Sequence, residues 1–253
     1  MKKLYEKNEL TFAIVWIVIY CFLQSMANSL NEIIGIDYSV SAVLCILQTI
    51  IIFAFIKKNN LSKRYGLCKS SIPASRLLYY IPLIIFTSGN LWNGIAVNYP
   101  WADAICRIVC MLCVGFIEEV IFRGFLFEAI AKENVKRAII ISSVTFGLGH
   151  IINLLNGSGM ELTDNLCQVV FAIAFGFMVV MLYYRSGSLL PCIIAHSVNN
   201  SLSTFSNEAG FTQEKHIVHT LIKVAVAVAY TLILTKTLPK DQYSITNGEA
   251  GTP

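Results

Sequence analysis

Residues 105–130 read ICRIVCMLCVGFIEEVIFRGFLFEAI, and this stretch decides the fold. It is an apolar run that carries two adjacent carboxylates, Glu118 and Glu119, with Arg123 one helical turn on. A charged side chain at the centre of a bilayer costs at least roughly 2.5 to 3.5 kcal/mol, so ionisable groups there face a cavity, a partner or a substrate. The Glu118–Arg123 hexapeptide is therefore a functional-site hypothesis.

Working outward, the 253-residue chain is 56% hydrophobic and 13% charged, too apolar for a soluble domain of this size. Apolar runs able to span recur near residues 10–27, 40–56, 77–92, 104–128, 138–155, 165–184, 188–206 and 217–236. The expectation is an all-α, polytopic membrane helix bundle of about eight transmembrane helices. The third run is interrupted by Pro82 and Gly89, with Asn90 and Asn93 at its end.

Lys and Arg concentrate in cytoplasmic loops, so their placement tests the topology. Lys2, Lys3 and Lys7, then Lys57, Lys58, Lys63, Arg64, Lys69 and Arg76, then Lys132, Lys136 and Arg137, Arg185, Lys236 and Lys240 all fall on one side. The opposite loops hold Glu32, Asp37, Asp103, Glu161, Asp164, Glu208 and Glu214, with Lys215 as the lone cation. Both termini are thus expected on the cytoplasmic side, and the net charge of +4 is topology rather than nucleic-acid binding. Tyr79, Tyr80, Tyr183 and Tyr184 would mark one interface, and Tyr38, Tyr99 and Trp101 the other. A secretory signal peptide is an alternative reading of the first run, which ends at Ser25-Met26-Ala27. Cys106, Cys110 and Cys113 share a helix face and read as small apolar residues. The expected divisions are N-terminal helices over 1–98, a catalytic helical core over 99–206, a final helix over 207–238 and a disordered cytoplasmic tail over 239–253.

Few strongly polar side chains lie deep in these runs: Glu118, Glu119, Arg123, His150, His196, Asn199 and Asn200. Counted from the cytoplasmic end of each helix, Glu118, His150, His196 and Asn200 fall roughly 12 to 18 Å deep at 1.5 Å per residue. A shared depth favours one site, expected to open toward the cytoplasmic half. Residues four apart share a helix face, which pairs Glu119 with Arg123, Phe146 with His150 and His196 with Asn200. The competing readings are a structural ion pair for Glu119–Arg123 and interhelical hydrogen bonding for the histidines and Asn200. Asn199 reads as such glue, His216 and His219 as interfacial, and Arg107 and Lys223 as snorkelling outward.

A carboxylate and an imidazole that grip one water can deprotonate it for attack on a carbonyl, while a second imidazole and a carboxamide hold the oxyanion. No nucleophile-elbow serine, His-Glu-x-x-His or pair of deep aspartates offers another hydrolytic route. Glu118-Glu119-x-x-x-Arg123, Phe146-x-x-x-His150 and His196-x-x-x-Asn200, in this order on successive deep helices, resemble the three motifs of the CPBP family of intramembrane proteases. That family includes type II CAAX prenyl endopeptidases, related to the Ras-converting enzyme, and bacteriocin-processing and immunity proteins. The resemblance covers roughly residues 100–206. It implies that Glu118 and His150 activate water, that His196 and Asn200 stabilise the oxyanion, and that Glu119, Arg123 and Phe146 support them. No cofactor is obligatory for this chemistry, although Glu118, His150 and His196 could ligate zinc. The expected partners are a peptide or lipidated protein substrate and the lipid bilayer, in a bacterial cell membrane. A non-proteolytic immunity or scaffolding role is the alternative from another class. A proton-coupled transporter is weaker, since no inverted repeat is visible.

Overall fold

The structure is a computed structural model that describes residues 1–73, 75–154 and 160–238. The expected tail, 239–253, and Lys240 with it, lie outside the described residues, as does residue 155 at the end of the fifth run. Each of the eight apolar runs contains helix, although Tyr80, Trp92, Ser188, Leu189 and Ser206 within them are not helical, and the described residues contain no β-strand. A short α1 (Lys2–Lys7) leads into α2 (Glu9–Ile34) and α3 (Ser39–Lys58). The run from 77 to 92 holds α4 (Ile81–Ser88) and a 3-10 turn at Gly89–Leu91. Pro82, expected to interrupt this run, instead occupies the first turn of α4, where its missing N–H costs nothing.

The decisive stretch forms α5 (Trp101–Glu119), which continues through a π-helical segment, Val120–Leu126, into α6 (Phe127–Ala131). Then come α7 (Val135–Gly149) with a 3-10 extension His150–Leu154, α8 (Leu162–Ser186), α9 (Leu190–Leu202) and α10 (Gln213–Thr237). Local chemistry sets several boundaries. Asn8, Asn134 and Thr212 accept hydrogen bonds from Thr11 N, Arg137 N and Lys215 N as N-caps, and Gly35 and Gly187 close α2 and α8 at positive φ.

Five helices are long and apolar enough to cross a membrane: α2, α3, α7 with its extension, α8 and α10. The other three fall short by length or by charge. The 13-residue α9 is about 20 Å long, against a hydrocarbon core of about 30 Å, and α5 carries Asp103, Arg107, Glu118 and Glu119. The long helices turn residues such as Val18, Phe22, Val43, Ile50 and Leu221 outward, so this is an all-α membrane bundle. The short α9 lies against α5, where a Cβ on Gly115 would stand 2.3 Å from Ser197 Oγ and 2.6 Å from Ser197 N. Only glycine lets these two helices approach so closely.

The loops gather at two ends, as the charge pattern predicts. At the cationic end Arg64 pairs with Glu9 at 2.5 Å and donates to Tyr5 Oη, Lys132 reaches the same Glu9, and Arg185 donates to Leu238 O. The N-terminal helix and Leu238 therefore share an end. At the acidic end Asp37 N donates to Asp103, Asn98 to Ser206 O, and Asp164 meets His216 at 2.7 Å.

Candidate active site

Glu118 and Glu119 end α5 side by side and face different surroundings. Glu118 is 8% exposed and Glu119 0%. Arg123, fully buried as well, places Nη1 3.2 Å from Glu119 Oε1 and its guanidinium 4.0 Å over the face of Phe146. Every residue of the π-helical segment is buried, so the ion pair is enclosed by its own helix and by α7. Such segments recur at functional sites.

The same Glu119 oxygen lies 2.8 Å from His196 Nδ1. His196 therefore turns Nε2 toward Glu118, whose Oε2 is 3.5 Å away. Glu119 thus contacts both Arg123 and His196 through one oxygen, which makes the ion pair and the histidine contact parts of one arrangement. The ring of Phe146 lies T-shaped to those of His150 and His196, at centroid distances of 5.5 and 5.8 Å, and Phe175 is T-shaped to His196 at 5.2 Å. Phe146 thus contacts Arg123 on one hand and the histidines on the other, between a dry compartment and an open one.

The open compartment is a chamber of about 560 Å³. Glu118, His150, His196 and Asn200 all line it, as the shared depth predicts. His150 lies at the junction of α7 and its 3-10 extension, where Asn165 Nδ2 donates to its carbonyl at 2.8 Å. Asn200 Oδ1 accepts from Asn199 Nδ2 at 3.2 Å, and Asn199 is tied by its carbonyl to Asn90 Nδ2 at 2.6 Å. Asn199 is thus interhelical glue, and it also holds Asn200 while lining the chamber.

The lining shows which of the two loop ends the chamber faces. From a floor at Tyr20, Glu118, Phe175 and His196 the lining rises through Val114, Cys110 and Arg107 to Tyr38, Asp164 and His216. The chamber therefore points to the end with the acidic loops, and no residue of the Lys/Arg-rich loops lines it. Depth along single helices located the polar layer but could not tell which side of it is filled. Toward the cationic end the space is taken by Phe12, Phe55, Tyr65 and Phe125, in ring contact with one another. A smaller recess of about 330 Å³ beside Lys2, Phe55 and Lys58 touches none of the site residues.

Arg107 and Lys223 line the chamber, with Arg107 extended to Tyr99 Oη near the acidic end, and His216 lines it beside Asp164. The chamber also draws on helices outside 99–206, since α2 supplies Tyr20, Gln24 and Asn28. Tyr20 Oη donates to Glu118 Oε1 at 2.6 Å, a partner that sequence reasoning missed. The signal was there: positions 20, 24 and 28 are polar-tipped at intervals of four, a stripe along one face of α2.

Among the described residues no three His, Cys, Asp or Glu side chains gather as a metal-ligand set. Of the trio considered for zinc, Glu118, His150 and His196, the histidine His196 has its Nδ1 engaged by Glu119. No chemical step below runs through a metal.

No curated protein matches the chain. Residues 100–202 match the family described as type II CAAX prenyl endopeptidase Rce1-like, and that span holds all three motifs whose side chains meet at the chamber floor. Over residues 100–202 the chain is similar to the Rce1-like type II CAAX prenyl endopeptidases, which supports the resemblance its three motifs carry to the CPBP family.

Proposed function

We propose that this protein is a glutamate-dependent intramembrane endopeptidase that hydrolyses a peptide bond at the floor of the chamber. The observation that carries the reading is Glu118: a nearly buried carboxylate that still reaches a polar chamber, with His196 fixed beside it by a second carboxylate. Glu118, with His150 across the chamber, takes a proton from water. The hydroxide oxygen bonds to the substrate carbonyl carbon, and the developing oxyanion is met by His196 Nε2 and the Asn200 carboxamide. Collapse breaks the C–N bond, and the proton held by Glu118 passes to the leaving amine. Phe146 and Phe175 keep bulk water from this floor, which strengthens each electrostatic contact.

The substrate reaches Glu118 from the end opposite the Lys/Arg-rich loops, which the charge rule makes the non-cytoplasmic face. This favours a secreted or membrane-embedded peptide over a prenylated cytoplasmic protein. The test is cleavage of an apolar decapeptide library by the purified protein, read by mass spectrometry. Glu118→Gln is expected to lower kcat/KM by at least about 10³-fold, and His150→Ala by about 10²- to 10⁴-fold, the range of a lost general acid–base group. The mechanism as written retains activity in metal chelators. Parent-like cleavage by Glu118→Gln would overturn the assignment. In sealed right-side-out vesicles, cleavage is expected of peptide added outside, and cleavage confined to inverted vesicles would reverse the direction of access.

A further inference from the structure

We propose that Arg107 and Lys223 form an anion-receiving site in the upper wall of the chamber, which holds a carboxylate of the peptide while Glu118 acts on the bond below. This deepens the peptidase reading and rests on it. Both cations line the chamber and are half-buried. Neither has a carboxylate within ion-pair distance among the described residues, unlike the enclosed Arg123 with Glu119 or Arg64 with Glu9.

What holds them is neutral. Arg107 Nη1 donates to Tyr99 Oη at 2.6 Å and Nη2 to Ser203 Oγ at 3.3 Å, while the rings of Tyr38 and Tyr99 flank the guanidinium at 5.0 and 4.9 Å. Its Nε is buried and makes no hydrogen bond. Lys223 Nζ stands 4.6 Å over the ring of Phe171. Hydroxyls and ring faces fix a cation without discharging it, which is how a receptor for an anion differs from a structural ion pair. The two carboxylates that line the chamber are engaged elsewhere, Asp164 with His216 and Glu118 with Tyr20. Two uncompensated charges in one cleft focus their field into it and draw an anion inward.

Geometry limits where that anion sits on the substrate. Arg107 stands eleven residues before Glu118 on the same helix, about 16 Å along its axis at 1.5 Å per residue. An extended peptide covers that distance in about five residues at roughly 3.3 Å each, so the recognised carboxylate lies within about five residues of the bond cut. A free C-terminus and an Asp or Glu side chain offer the same chemistry.

The test is binding to the full-length Glu118→Gln protein in detergent, by anisotropy of a Leu–Ala octapeptide that carries an uncharged dye at its N-terminus. Three forms are compared: free acid, C-terminal amide, and C-terminal amide with one Asp near the end. At least one anionic form is expected to bind ten-fold or more tighter than the neutral amide, and whichever does names the source of the carboxylate. The preference is expected to vanish in Arg107→Gln and Lys223→Gln, and to return in Arg107→Lys and Lys223→Arg, which separates charge from folding. Equal or absent binding of all three peptides, or an unchanged preference in the Gln variants, would overturn the site. A failure of the peptidase reading registers separately, as parent-like hydrolysis by Glu118→Gln, whatever the binding arms report.

Discussion

The two halves of this bundle use the same residue types for opposite ends. Below the Glu118 layer, Arg123 meets Glu119 with both side chains at 0% exposure, and aromatics packed edge to face fill the rest. Above it, Arg107 and Lys223 meet no carboxylate among the described residues, and a chamber of about 560 Å³ takes the place of packing. A closed ion pair stabilises one geometry, whereas an open cation waits for a ligand. The boundary between them is one residue thick, because Glu118 and Glu119 are neighbours in sequence and look into different compartments.

The comparison breaks most visibly at Arg123. Removing one partner of a buried pair leaves an uncompensated charge, at a cost of about 3 to 5 kcal/mol. Arg123→Met is therefore expected to lower Tm strongly in detergent, and Glu119→Gln added to it should recover much of the loss. The double variant should still cleave poorly, because Glu119 also fixes His196 Nδ1. If Arg123→Met is as stable as the parent, the lower half is not the dry compartment described above.

Tyr20 tests the boundary from the open side. Its hydroxyl gives Glu118 a hydrogen bond to a charged group, worth about 1.5 to 3 kcal/mol, so Tyr20→Phe is expected to lower kcat/KM roughly ten-fold or more. The ring stays in place and Tm should change far less than in Arg123→Met. Equal activity of Tyr20→Phe and parent would mean that Glu118 is positioned without α2.

Much of this was legible in the chain, and the rest was hidden for reasons that can be stated. Helical runs follow from apolar length, and the two loop ends from Lys and Arg placement, because both depend on the bilayer rather than on partners. The convergence of Glu118, His150, His196 and Asn200 was readable from depth, since rise per residue is nearly constant. Direction was not: whether the space above or below a polar layer is filled depends on side chains such as Phe125 and Tyr65, one from the π-helical segment and one from the loop after α3. Nor could spacing on α5 alone reveal that Glu119 serves two partners, because His196 approaches from α9, 77 residues on. The closeness of α5 and α9 hangs on Gly115, an unremarkable glycine in the sequence.

The smallest expected effect contrasts two glycines in the helices that wall the site. A Cβ at Gly115 would lie 2.3 Å from Ser197 Oγ, next to His196, so alanine there must push α9 away and should cost about 1 to 3 kcal/mol together with activity. At Gly149 an added Cβ meets nothing within 4 Å, and the residue sits in the last turn of α7 without a positive φ. Gly149→Ala should therefore be neutral or stabilising by up to about 1 kcal/mol, because alanine narrows the unfolded ensemble and favours the helix. His150 follows directly, so the activity of this variant is informative as well: unchanged kcat/KM with a small rise in Tm is expected. A loss of activity without a loss of stability would mean that the junction at His150 must bend during turnover, and that the wall of the open half is less fixed than its closed counterpart.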